Sequence, residues 1–367
     1  MNINYKLKNN IISISIYLSF FIIGDILFSN FIYKKDFNHN CYHYKKNFFH
    51  LKKNCHAKEK WVRQVKSYDV YTDSNGFRFS GKKNDESGKE KIAVFFGDSF
   101  TYGMGLEYKK TFVGLIENKK KEYKLLNLGV PGYSPSVFNY QLKKLLKNKL
   151  IPDKIFFVLD ISDVSEEASQ WGIDKKIDHP IQITMAEDEN LKNKDENKFK
   201  ENFKGSRLIA RSINNFFRNI RFNISNLEEK KKIPGYSGWG NFLYMDLEDT
   251  DQNLWKPLGF NKAIAKIEKN TKEISLIANS INAELYLVIY PWPDTLHYGQ
   301  KKFNWEKFSK ELCENVNCTK LINLFPDFID VKENFDDWLT RLYIGGDLHI
   351  SEYGQKVVAE RLLKESF

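Results

Sequence analysis

Ile92-Ala93-Val94-Phe95-Phe96-Gly97-Asp98-Ser99-Phe100 is the stretch that decides the fold. An apolar run closed by glycine suits a parallel strand buried on both faces, whose exit turn needs backbone freedom. Ser99 then stands at the carboxyl end of a strand, where open α/β sheets place their sites. Gly103 and Gly105 follow, then Phe112, Leu115 and Ile116 at helical spacing, so strand, turn and helix succeed one another. Such a turn aims backbone N–H groups at whatever the serine attacks.

Two other motifs are excluded by the same residues. No Gly-Lys-Ser/Thr follows the glycines, so there is no phosphate loop, and their spacing is not that of a dinucleotide fingerprint. Thr101 fills the last position of a would-be Gly-x-Ser-x-Gly nucleophile elbow.

Three later blocks supply partners for Ser99. Near the C-terminus, Gly345-Gly346-Asp347-Leu348-His349-Ile350-Ser351 presents an acid and an imidazole just before a helix, with Ser351 as its N-cap. Val357, Val358, Leu362 and Leu363 give that helix an apolar face. An imidazole there can reach a serine on the first strand, and a nearby carboxylate can fix its tautomer. Asn127-Leu128-Gly129-Val130-Pro131-Gly132-Tyr133 follows a short strand at Lys124 to Leu128, and Asp160-Ile161-Ser162-Asp163 ends another at Ile155 to Leu159.

Taken in order, these four blocks resemble the SGNH (GDSL-type) hydrolases and acyltransferases. The resemblance implies Ser99 as nucleophile, His349 as its base and Asp347 as the orienting acid. It also implies an oxyanion hole from the N–H groups of Ser99 and Gly132. Ser162 stands where the family usually has the asparagine of Gly-x-Asn-Asp. Its hydroxyl is a shorter donor, and loss of one oxyanion donor costs about 100 to 1,000-fold in rate. The Asp-x-His spacing is one residue shorter than the commoner Asp-x-x-His. Thr72-Asp73-Ser74-Asn75-Gly76-Phe77-Arg78 resembles the lead-in of membrane-associated members, where it would seal one edge of the domain.

Further strands are expected at Glu284 to Tyr290 and Lys320 to Leu324, with helices around Ser136 to Lys147, Asn261 to Ala278 and Phe303 to Leu312. This alternation predicts a three-layer α/β/α sandwich, SGNH and flavodoxin-like, with a parallel sheet of about five strands. After the strand ending at Tyr290, Trp292, Asp294 and His297 are candidates for the rim of a substrate pocket. The lysine-rich insertion at about 173–251 carries one amphipathic stripe, Leu208, Ile209, Ile213, Phe216, Phe217 and Ile220, read as core packing, and an aromatic cluster around Trp239.

Residues 11–32 are mostly apolar and long enough, at 1.5 Å per residue, to cross a hydrocarbon core. The expectation is an N-terminal transmembrane helix serving as an uncleaved signal anchor. Residues 1–10 then form a cytoplasmic tail, 33–91 a membrane-proximal lead-in, and 92–367 the SGNH domain. The localisation this implies is the inner (cytoplasmic) membrane, single-pass, with the catalytic domain on the periplasmic or extracytoplasmic side.

The four cysteines form two close pairs, Cys41 with Cys55 and Cys313 with Cys318, as an oxidising compartment allows. His39, His43, His50 and His56 surround the first pair and raise a metal reading. Their spacing fits no tetrahedral zinc motif, so disulfides are preferred and no metal is expected.

A net charge of +10 over 367 residues invites a nucleic-acid reading, but the lysines are dispersed among asparagines and glutamates, as on a solvated surface. No nucleic-acid partner is expected. An anionic membrane surface or an acidic glycan is compatible with the charge.

By the resemblance and the topology, the activity expected is cofactor-free O-acetyl transfer or O-acetyl ester hydrolysis on a cell-envelope carbohydrate, through an acyl-enzyme on Ser99. A membrane protein that donates the acyl group is the partner implied. Two other classes stand beside it: a noncatalytic glycan-binding or assembly protein that keeps the fold, and a lipid or small-ester esterase with an apolar acyl channel.

Overall fold

A computed structural model of the chain describes residues 5–28, 41–45, 47–61, 66–82, 91–174, 179–183, 206, 257–300, 303–345 and 347–367. The chain divides into two compact units, Met1–Asp36 with Asp188–Lys232, and Phe37–Glu187 with Ile233–Phe367.

In the first unit, a helix runs over Tyr5–Leu27. The expected transmembrane helix over 11–32 is corrected: among the described residues, no helix is long and apolar enough to cross a membrane. Asp25, buried near the end of the helix, accepts hydrogen bonds from the Ser206 N–H at 2.9 Å and from its hydroxyl.

The second unit contains twelve strands among its described residues: β1 (Tyr42–Lys45), β2 (Phe48–Leu51), β3 (His56–Glu59), β4 (Tyr68–Thr72), β5 (Arg78–Phe79), β6 (Lys91–Phe96), β7 (Tyr123–Asn127), β8 (Lys154–Leu159), β9 (Trp171–Asp174), β10 (His179–Gln182), β11 (Glu284–Ile289) and β12 (Lys320–Asn323). Eight of them form one sheet in the order β12-β11-β8-β6-β7-β5-β4-β3. The five parallel strands β12, β11, β8, β6 and β7 are those expected from the sequence. The small parallel sheet is corrected to a mixed one, because β5, β4 and β3 continue it antiparallel from the edge of β7. β5 is two residues long and β3 keeps one buried position, so neither shows a readable period, while β4 alternates buried and half-buried positions over only five residues.

The central strands are covered on both faces. Ala93, Val94, Phe95 and Phe96 are all fully buried, as a strand between two helical layers requires. On one face Phe95 stacks on Phe156 at 4.4 Å and meets Phe112 of the helix Phe112–Lys119. On the other, Phe96 and Phe157 meet Phe138 of the helix Pro135–Lys147. The helices Phe260–Ser280 and Trp305–Val316 form where periodicity placed them.

Both expected disulfides are present. Cys41–Cys55 and Cys313–Cys318 have Cα atoms 5.6 and 5.0 Å apart, within the reach of the bond. The stripe at 208–220 and Trp239 lie outside the described residues.

Candidate active site

Three backbone devices position Ser99. β6 runs directly into Gly97, where a Cβ would come within 2.0 Å of the Thr101 hydroxyl oxygen, so the strand can turn there only with glycine. Asp98 then caps the short helix Ser99–Tyr102, its Oδ1 accepting the Phe100 N–H at 2.9 Å. Gly103, at φ +81°, ends that helix in the left-handed region. From β7, Asn127 donates through Nδ2 to the Thr101 carbonyl at 2.8 Å and accepts the Gly129 N–H at 2.9 Å, joining the first two blocks.

His349 comes from the opposite end of the chain. Its loop is pinned by a bridge between Tyr343 and Ile350, and Ser351 caps the helix Glu352–Ser366 through the Gly354 N–H at 3.1 Å. The result is a continuous hydrogen-bonded line. His349 Nε2 lies 2.8 Å from Ser99 Oγ, and His349 Nδ1 lies 2.7 Å from Asp347 Oδ2. Both His349 and Asp347 side chains are largely buried, at 7% and 12% exposure, which strengthens the pair against screening. Burial alone would raise the Asp347 carboxyl, but hydrogen bonds from His349 and Trp61 hold it below the usual carboxylate range.

Trp61 was not visible in the sequence as a site residue. Its indole N–H donates to Asp347 Oδ2 at 2.6 Å, the same oxygen that faces His349. The indole edge stands against the imidazole at 5.4 Å and 85°, while Phe100 flanks the ring at 5.1 Å. A lone tryptophan in a lysine-rich segment, 286 positions from its partner, carries no local signal of this role.

Gly132 lies at φ +77° with ordinary space around a would-be Cβ, so its conformation, not crowding, calls for glycine. Its carbonyl accepts the Trp171 indole N–H at 2.8 Å, which anchors the loop. At Ser162, both the N–H and the hydroxyl donate to Asp160 Oδ1, at 2.6 and 2.5 Å. The hydroxyl that the sequence comparison set against an oxyanion is therefore engaged by a neighbouring carboxylate. Tyr290 donates to the other oxygen of Asp160. Asp98, Asp163 and Glu166 are buried nearby, and burial, then the Asp160 charge on Asp98 and Asp163, pushes their carboxyls well up.

Of the three rim candidates, Trp292 is buried and stacks on Phe100 at 6.1 Å, one ring removed from His349. Asp294 is buried in the first turn of the helix Pro293–Tyr298. His297 is exposed and stacks on Trp338 at 6.5 Å.

No curated protein matches the chain in sequence. Among solved structures it is similar to an acetyl xylan esterase, AlAXEase, at 14% identity and a TM-score of 0.42, covering 75% of this chain and 100% of that one. It is similar to a member of the lipolytic G-D-S-L family from Veillonella parvula at 12% identity and a TM-score of 0.40, covering 75% of this chain and 98% of that one. A catalytic mutant of Axe2, an acetylxylan esterase from Geobacillus stearothermophilus, gives 13% identity and a TM-score of 0.42, with 77% and 97% covered. One family model matches residues 18–286, a span that holds Ser99 and Gly132 and ends before Asp347, and by that match the chain belongs to the family DUF1574, described as a protein of unknown function.

Proposed function

We propose that this chain is an SGNH-type serine esterase that forms an acyl-enzyme on Ser99. The observation that carries this reading is the unbroken line from Ser99 Oγ through the imidazole of His349 to Asp347, with both links at 2.7–2.8 Å. His349 Nε2 takes the Ser99 proton as Oγ attacks an ester carbonyl, while Asp347 accepts the Nδ1–H and stabilises the imidazolium. The N–H groups of Ser99 and Gly132 receive the developing oxyanion. The imidazolium then returns its proton to the departing alcohol, and a second alcohol or water resolves the acyl-enzyme by the reverse steps.

The substrate class proposed is an O-acetylated carbohydrate of the cell envelope, with either transfer or hydrolysis as the outcome. Two disulfides support a catalytic unit that works in an oxidising compartment outside the cytoplasm. The exposed side chains of Ile14, Leu18, Phe20 and Phe21 supply apolar surface that a bilayer would cover, supporting attachment to a membrane. A membrane acyl-donor protein fits the transferase outcome.

The full chain incubated with an activated acetyl ester tests the reading. Ester turnover, or an acetyl group on the intact protein, should be found with the parent and lost in Ser99→Ala. A folded parent that shows neither, and that an active-site serine probe fails to label, overturns the proposal. A noncatalytic glycan-binding protein would then lead, a reading that the capture of the Ser162 hydroxyl by Asp160 favours.

Trp61 is a positioning residue in this scheme. Trp61→Phe keeps a ring beside His349 but removes the donor to Asp347. A hydrogen bond to a charged acceptor is worth about 1.5–3 kcal/mol, so kcat should fall at least about tenfold with KM unchanged. Trp61→Phe at parental kcat would show the indole N–H to be idle.

A further inference from the structure

The strand β2, the turn at 75–77 and the helix Pro135–Lys147 enclose a cavity of ≈ 60 Å³. We propose that it is a binding site for one small tetrahedral oxyanion of the phosphate or sulfate class, free or carried on a larger molecule.

The lining is mostly apolar, with one set of basic and amide groups. His50, Lys53 and Lys144 face it together with Asn75, Gln141 and Asn148. The exposed His43 ring lies 5.0 Å from that of His50. Burial first, then the charges of Lys144, His43, Lys45 and His179, drives the His50 pKa down to about 4. Partial burial, then Lys53 and Lys45, likewise holds Lys144 below the ordinary lysine range.

The groups that bear most on His50 and Lys144 are thus all cationic or protonatable, gathered from β1, β2, β10, the β2–β3 connection and one helix. Other described lysines do pair with acids, as in Lys110–Glu352, Lys154–Glu284 and Lys320–Glu365. Lys53 and Lys144 are exposed among the lining residues, so an oxyanion entering from solvent would meet both and draw a proton onto His50. The volume exceeds the roughly 10–15 Å³ that one enclosed water needs and leaves room for one oxyanion in place of a few waters. Val130 and Tyr133 also line the cavity, so a bound anion would touch the loop that carries Gly132. The inference does not depend on the esterase reading, because its measurement is binding.

Thermal unfolding and calorimetry of the full chain with sulfate, inorganic phosphate and glucose 6-phosphate, against chloride at equal ionic strength, test it. Sulfate and phosphate should each raise Tm saturably by about 2–5 °C near saturation. Affinity should fall at least tenfold in Lys53→Gln and in Lys144→Gln. It should hold in Lys147→Gln, which makes the same charge change on the same helix outside the cavity.

A bound anion favours protonation of His50. Sulfate keeps its charge between pH 7 and 5, so a rise in its affinity over that interval belongs to the protein, and His50→Gln should remove most of that rise while still binding at pH 7. Glucose 6-phosphate binding as phosphate does identifies a site for a pendant anion, whereas its exclusion with phosphate retained identifies a site for the free ion. The proposal is overturned if chloride matches the effect, if no saturable shift is found, or if Lys53→Gln and Lys144→Gln bind like the parent.

Discussion

Asp347→Asn is expected to lower kcat on an activated acetyl ester by up to about 10,000-fold while leaving the protein folded. The reasoning begins with the tautomer. A carboxylate opposite His349 Nδ1 can only accept, so it fixes the proton on Nδ1 and leaves Nε2 as the acceptor facing Ser99. A carboxamide can turn its NH₂ toward Nδ1, which moves the imidazole proton to Nε2 and removes the base from the serine. The Trp61 N–H opposes that turn, because it needs an acceptor at the same oxygen position that faces the ring, so about 10,000-fold is the upper end of the loss.

KM should change little, since Asp347 touches no substrate atom in this scheme. Single-turnover rates compared with those of Ser99→Ala and His349→Ala, with thermal unfolding as the control for folding, decide the matter. A loss under tenfold would remove Asp347 from the orienting role.

That role was the least secure of the three in the sequence, because Asp347 and His349 are separated by a single residue. The loop shows how the carboxylate reaches the ring across that spacing. Asp347 N donates to the Ile344 carbonyl at 2.9 Å, and Ile344 N donates to the His349 carbonyl at 2.8 Å. This turn folds the carboxylate back along the loop until it meets the Nδ1 edge of the imidazole. Side-chain direction inside an irregular loop is not periodic, so spacing alone could not show it.

The five parallel strands and the helices between them were legible for the opposite reason. Runs such as Ile155 to Leu159 must be apolar at every position when both faces are covered, and that pattern survives in a single sequence. The three antiparallel strands were not legible, because β5 is two residues long and β3 keeps only one buried position. Asp160 was hidden in another way. An acid at the end of a buried strand reads as a departure from the Gly-x-Asn-Asp pattern, whereas in the fold its carboxylate gathers Ser162 and Tyr290 around it.

Arg78→Met should destabilise the second unit by at least about 3 kcal/mol, the largest stability effect expected of any one side chain outside the apolar core. Arg78 is 1% exposed, and its guanidinium donates to the carbonyls of Tyr102, Gly103 and Leu106, the last two at the glycine-rich exit from the Ser99 helix. Methionine keeps much of the volume and supplies no donor, so these acceptors would lose a partner at about 1–3 kcal/mol for each one left buried. The cation also lies over the Tyr102 ring at 4.4 Å and the Tyr68 ring at 5.8 Å, and both phenols donate to the buried Glu59 carboxylate at 3.1 Å.

Burial raises the Glu59 pKa, and Arg78 is the strongest influence pulling it back down. The sign of the pH dependence follows. Without Arg78 the folded-state pKa of Glu59 climbs further above its unfolded value, so ionising Glu59 costs the variant more than the parent. The difference in stability between parent and variant should therefore be smallest near pH 4, where Glu59 is protonated in both, and should grow toward pH 7–8. Denaturant unfolding of both proteins at the two ends of that range measures it. A penalty independent of pH would confine Arg78 to its carbonyl contacts and exclude Glu59 from the network.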